Sequence, residues 1–124
     1  MVTITEDYVS FETAKLLKEK GFNEPCLKQY YNNGELSNVS IEAKYNTIDN
    51  QVSAPTLQMA MKWLRRIHNV NIDIVSIWNQ KRFEYQVYIV TPENAKHCYI
   101  DDKLYLGYEE AVEAAIKYCC ENLI

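Results

Sequence analysis

The 124-residue sequence predicts an α+β fold of two layers, in which an antiparallel sheet of 4-5 strands built from hairpins carries three helices on one face, in the order α-ββ-α-ββ-(β)-α. Three observations carry this. Apolar residues recur at helical spacing in three separate stretches, and between them lie runs rich in β-branched and aromatic residues. A chain of this length with 48% hydrophobic and 24% charged residues suits one globular domain over 1–124. Three apolar stripes then need a shared surface to cover, and consecutive hairpins supply it as antiparallel strands.

Taken in order, Ser10 offers a side-chain cap and Phe11, Ala14 and Leu17 follow on one face, which predicts a helix over residues 10–20. Gly21 ends it, since glycine accepts the left-handed conformation after a helix, and Phe22 can fold back on the last turn. Pro25 blocks further helix, and residues 26–31 read as a strand with Leu27 and Tyr31 on one face. Asn32-Asn33-Gly34 is the sharpest turn signal in the chain and predicts a type I′ hairpin returning through Glu35 to Ser37. Val39, Ile41 and Ala43 alternate with polar residues as a strand does, whereas residues 46–53 are polar and read as a surface loop.

Pro55, tolerated in a first turn, opens the second helix with Ser53 or Thr56 as its cap. Leu57, Ala60, Met61, Leu64, Ile67 and His68 form its apolar stripe, and Lys62, Arg65 and Arg66 lie on the other side. Residues 70–78 and 82–90 form the second hairpin, with Phe83, Tyr85, Val87 and Ile89 toward the helices and Arg82, Glu84, Gln86 and Tyr88 toward solvent or a partner. Pro92 ends that strand, and residues 96–106 read as a short edge strand or small hairpin turning at Asp101-Asp102. From Tyr108 onward Ala111, Val112, Ala115, Ile116, Cys119 and Leu123 define a last helix, whose Glu109 and Glu110 complement its dipole.

Composition removes several classes of function. Thirteen Lys and Arg against 17 Asp and Glu leave a net charge of -4, so the molecule as a whole repels a phosphate backbone. Cys26, Cys98, Cys119 and Cys120 contain no C-x-x-C pair, which favours reduced thiols in a cytoplasmic protein over a disulfide framework. With only His68 and His97, no structural metal site is expected, and the isolated Gly21, Gly34 and Gly107 build no phosphate-cradling loop, so no cofactor is expected either. No apolar run approaches bilayer length, and Met1-Val-Thr-Ile-Thr-Glu-Asp7 lacks the basic-then-apolar order of a secretion signal, so no membrane partner is expected. His97-Cys98 is the only His/Cys adjacency, and strand neighbours point to opposite faces. Asp101-Asp102 and Glu109-Glu110 are explained by a turn and a helix start. No residue is therefore assigned a catalytic role, and the chain is expected not to be an enzyme.

What remains is surface. Ten tyrosines and two tryptophans suit half-buried sheet faces and binding hot spots alike. The candidate interaction surface comprises Lys62, Trp63, Arg65, Arg66, Trp78, Arg82 and Tyr88. It is expected to serve a protein partner or self-association. The alternative is a nucleic-acid-associated regulator using the basic helix at 54–68, which the net acidity disfavours.

Ala54-Pro-Thr-Leu-Gln-Met-Ala-Met-Lys-Trp-Leu-Arg-Arg-Ile-His68 and Glu109-Glu-Ala-Val-Glu-Ala-Ala-Ile-Lys-Tyr-Cys-Cys-Glu-Asn-Leu-Ile124, together with Asp7 to Phe22, resemble a family of small uncharacterised proteins from gut anaerobes and their phages or mobile elements. The resemblance implies a phage or mobile-element accessory protein. It brings no catalytic residues.

Overall fold

The computed structural model describes residues 4–101 and 103–124. The reading of the first three residues, and the Asp102 half of the expected turn, lie outside them. The chain divides into two compact units, one ending at Met59 and the other running from Ala60 to Ile124.

The first unit begins with α1 (Phe11–Glu19), where the Thr13 amide donates to Ser10 Oγ at 3.2 Å, so the expected cap is formed. Thr13, Ala14 and Leu17 are its buried residues. Its end is as the sequence suggests: Gly21 takes φ +94° and the Phe22 amide returns to Leu17 O at 2.9 Å. Phe22 is 1% exposed.

Next come β1 (Gln29–Tyr31), a single 3-10 turn at Tyr45–Thr47, and β2 (Gln51–Ser53). The Asn-Asn-Gly turn forms, but not as type I′. Positive φ falls on Gly34 alone (+88°), the Gly34 amide donates to Tyr31 O and the Tyr31 amide donates to Glu35 O, both at 2.9 Å. This is the three-residue hairpin loop in which a left-handed glycine follows an ordinary turn. The return leg touches β1 only through an isolated bridge, Tyr30↔Leu36, and Cys26↔Ala43 makes another farther along.

β1 instead pairs antiparallel with β2, matching Gln29 to Ser53 and Tyr31 to Gln51. Residues 46–53, expected as a loop, thus hold a helical turn and a strand. Asn46 is the reason: its amide donates to Ser53 Oγ, its Oδ1 accepts from the Ser53 amide at 2.8 Å, and its Nδ2 donates to Phe22 O at 2.6 Å. A polar stretch becomes ordered when its side chains satisfy backbone groups that a ladder would otherwise pair.

Helix α2 (Leu57–His68) has Thr56 Oγ1 accepting from the Met59 amide at 3.1 Å. The unit boundary falls within it. Ala60, Met61, Trp63 and Leu64 are buried, and Lys62, Arg65 and Arg66 are exposed.

In the second unit the expected hairpin is present as β3 (Val70–Ile77) and β4 (Arg82–Val90), paired from Val70↔Ile89 to Ile77↔Arg82. β5 (Ala95–Ile100) adds to the other edge of β4, and one residue is inserted there, since Val87 faces Tyr99 while Tyr88 faces His97. Beyond it the Tyr105 amide and carbonyl both bond to Phe83, at 2.7 and 2.8 Å, extending the pairing as an isolated bridge. α3 (Tyr108–Asn122) packs on β3 and β4 through Ala111, Val112, Ala115, Ile116 and Cys119, opposite the buried Tyr85 and Val87.

The chain is therefore α+β, but a single sheet of four to five strands is not formed. There are two antiparallel sheets, β1-β2 and β3-β4-β5. The expectation of one platform for three helices fails with it: α1 lies against β2, and α3 against β3 and β4. The physical reason is local closure, because β1 finds a partner 20 residues downstream within its own unit and leaves no long edge to extend.

Gly34 and Gly21 are comparable tests of the turns. Both need the left-handed region, where a side chain costs about 1–2 kcal/mol. An added Cβ at Gly21 meets nothing, whereas at Gly34 it comes 3.2 Å from the Phe11 ring, itself held between Tyr30 and the Lys15 ammonium. Gly34→Ala is expected to destabilise more than Gly21→Ala, and urea denaturation of the two variants measures the difference.

Candidate protein-docking surface

Of the seven residues of the predicted surface, Trp78, Arg82 and Tyr88 lie along the β3–β4 hairpin, whereas Lys62, Arg65 and Arg66 lie on the exposed side of α2. The tip is Trp78-Asn79-Gln80-Lys81, with the Gln80 amide on Ile77 O at 3.1 Å and Lys81 at φ +53°. Arg82 Nη1 reaches back to the carbonyls of Gln80 (3.3 Å) and Lys81 (3.1 Å), so the guanidinium braces the tip. Trp78 stands on this tip and is 84% exposed.

From the tip, the face of β4 opposite α3 carries Arg82, Glu84, Gln86 and Tyr88, all half-buried. Three of them are linked along the strand: Tyr88 Oη donates to Gln86 Oε1 at 2.7 Å and Gln86 Nε2 to Glu84 Oε1 at 3.4 Å. The Tyr88 ring meets His97 edge-on, with centroids 4.8 Å apart. On β3 the same face holds Asn71, Asp73, Val75 and Ile77, by register. Trp78 and Tyr88 are separated by most of β4, about 20 Å at ~3.3 Å per residue. The face is a strip rather than one small patch.

Trp63 does not belong to it. The ring is 6% exposed and packs edge-on to His68 at 4.8 Å, so this tryptophan is interior, as its place beside Leu64 on the buried side of α2 requires. Lys62, Arg65 and Arg66 stay on the exposed side. Among the described residues no hydrogen bond, ion pair or ring contact joins them to Trp78, Arg82 or Tyr88.

Sequence reasoning did not find the cluster that absorbs many of the tyrosines. Tyr85 lies within 6.3 Å, centroid to centroid, of Tyr99, Tyr105 and Tyr118, and Tyr99 and Tyr118 stack at 4.0 Å. Tyr105 Oη donates to Asp101 Oδ2 at 2.7 Å, and the Asp101 amide donates to Tyr85 O. Burial, then the neighbouring Asp101, pushes the Tyr85 phenol upward; burial and the Asp101 hydrogen bond do the same to Tyr105. These phenols stay protonated at neutral pH and serve as packing and donors rather than as bases. The only legible sign in sequence was the excess of tyrosine itself; their convergence needs the register of β4 with β5 and the rotation of α3.

Two of the thiols are likewise held protonated. Burial pushes Cys26 and Cys119 up to about 12, so neither is a thiolate at neutral pH. Cys98 Sγ donates to Lys96 O at 3.7 Å while the adjacent His97 faces Tyr88.

Two measurements check this arrangement. Trp63→Phe, which leaves Trp78, should emit as a solvent-exposed indole readily quenched by iodide, and Trp78→Phe should give the shielded, blue-shifted emission of Trp63. A thiol whose folded-state pKa lies above the unfolded value supports the fold fully below the latter, and that support drains away as pH climbs through about 9 toward about 12. Denaturation midpoints should therefore fall as pH rises from about 9 toward about 12, and Cys119→Ala should make the fall shallower.

No family model, curated protein or solved structure matches the chain.

Proposed function

We propose that the chain is a small cytoplasmic, non-enzymatic protein-binding module that docks a second copy of itself or another protein through the β3–β4 hairpin. Trp78 is the anchor. The observation that carries the reading is an indole left 84% exposed on a hairpin whose tip is braced by Arg82. Leaving so large an apolar ring in water forgoes a burial worth about 2 kcal/mol or more, which a partner would recover. Tryptophan and arginine together are the residue types that dominate binding hot spots, and a rigid hairpin loses little entropy on docking. Ile77, on the outward face at the tip end of β3, and Tyr88 farther along the strip supply further contact area. A role as a phage or mobile-element accessory protein is compatible with such a module.

The nucleic-acid reading rests on Lys62, Arg65 and Arg66 being exposed on one side of α2. Three cations against a net charge of -4 make it the weaker reading.

Light scattering over a concentration series, together with crosslinking in extracts, tests the proposal on wild type and Trp78→Ser. Association with itself or with a defined crosslinked partner should weaken about 30-fold in the variant, the loss of a hot spot of about 2 kcal/mol. Equal association by both proteins overturns the role of the hairpin. A salt-sensitive gel shift abolished by Lys62→Glu with Arg66→Glu, and indifferent to Trp78→Ser, transfers the function to α2.

A further inference from the structure

A feature independent of the docking surface lies in the first unit. A half-open cavity of about 250 Å³ is bordered by Cys26, Met59, Tyr8, Leu27, Pro55 and Glu42. Two of these carry sulfur, and Cys26 Sγ stands 3.9 Å from Met59 Sδ. The pair comes from distant sequence positions, each fixed by backbone structure. Cys26 is held by the two-way bridge to Ala43, at 2.9 and 3.1 Å, and Met59 by the Thr56 cap on its amide at 3.1 Å.

We propose that Cys26 and Met59 form a binding site for a soft monovalent cation, Cu(I) or Ag(I). Thiolate and thioether are the protein donors that select such ions, whereas hard cations need oxygen ligands. Among the described residues no three His, Cys, Asp or Glu side chains come together as a cluster that could hold a metal ion, so a tetrahedral zinc site is not what this geometry serves. The spacing suits the softer ion. At a metal–sulfur length of about 2.3 Å, that of a zinc–thiolate bond, sulfurs 3.9 Å apart subtend about 116°, and a larger ion closes the angle, so both sulfurs can reach one ion. Little movement is required of either side chain.

The cavity leaves the third position open to a small external donor such as a thiol. Its walls of Leu27, Pro55 and the Tyr8 ring keep the site largely apolar, and Glu42 adds one negative charge at the lining. Cys26 is 3% exposed, while Met59 is 37% exposed and gives the ion a way in. Binding needs no change of oxidation state. The Cys26 S–H bond breaks, the sulfur keeps the electron pair and bonds the metal, the proton leaves to water, and Met59 donates a sulfur lone pair. The weak bond from Sγ to Glu24 O, 3.5 Å long, is lost with that proton.

Silver nitrate is the probe, added to the full chain with Cys98 replaced by serine so that the half-exposed thiol does not compete. Methionine methyl groups labelled with carbon-13 report the outcome by NMR. One equivalent of Ag(I) should shift the Met59 methyl and leave that of the buried Met61 in place, which also reports an intact fold. Cys26→Ser should abolish the shift, and Met59→Leu, which keeps the thiol and the volume, should weaken Ag(I) binding at least ten-fold in competition with a soluble chelator. Uptake of Ag(I) with the Met59 methyl unmoved, wild-type affinity in Met59→Leu, or no uptake at the first equivalent would each overturn the site.

Discussion

The register between β3 and β4 is the constraint on which the second unit depends. Pairing Val70 with Ile89 through to Ile77 with Arg82 puts Tyr85 and Val87 under α3 and places Arg82, Glu84, Gln86 and Tyr88 on the opposite side. Because side chains alternate, a slip of one residue would exchange the two faces and present the polar row to the apolar side of α3. The same register brings the chain around at Trp78, so the exposure of that ring follows from where the ladder ends. Arg82 closes the ladder opposite Ile77 and also bonds the tip carbonyls.

The first unit is held differently. Its strands are three residues each, too short for ladders to organise the chain, and side chains take over the task. Asn46 clasps Ser53 and Phe22, Tyr30 Oη donates to Val9 O at 2.6 Å, and the Ser37 hydroxyl accepts from the Gln29 amide. Such bonds use the asparagine and tyrosine in which the chain is rich. Much of that compositional excess is therefore structural, and only a minority of the aromatic rings are left for recognition.

Tyrosine illustrates how one residue type divides its labour. Tyr85, Tyr99, Tyr105 and Tyr118 converge where α3 meets the sheet, and burial together with Asp101 keeps the Tyr85 and Tyr105 phenols protonated. Tyr88, on the same strand as Tyr85 but at odd spacing from it, faces the other way and ties into a polar chain with Gln86. The two tryptophans divide likewise between interior and hairpin tip.

Whatever depends on near neighbours is legible along the chain. Ser10 and Gly21 delimit α1, the alternation at 70–90 specifies a hairpin and its two faces, and the spacing after Tyr108 yields α3, because capping, glycine conformation and hydrophobic period all act within a turn or a strand. Tertiary structure decided which strands share a sheet, that residues 51–53 pair with β1, that Trp63 is interior while Trp78 is not, and that Cys26 meets Met59. Those outcomes turn on contacts between residues tens of positions apart, where many pairings satisfy the same local pattern and only the closing of a whole core selects among them.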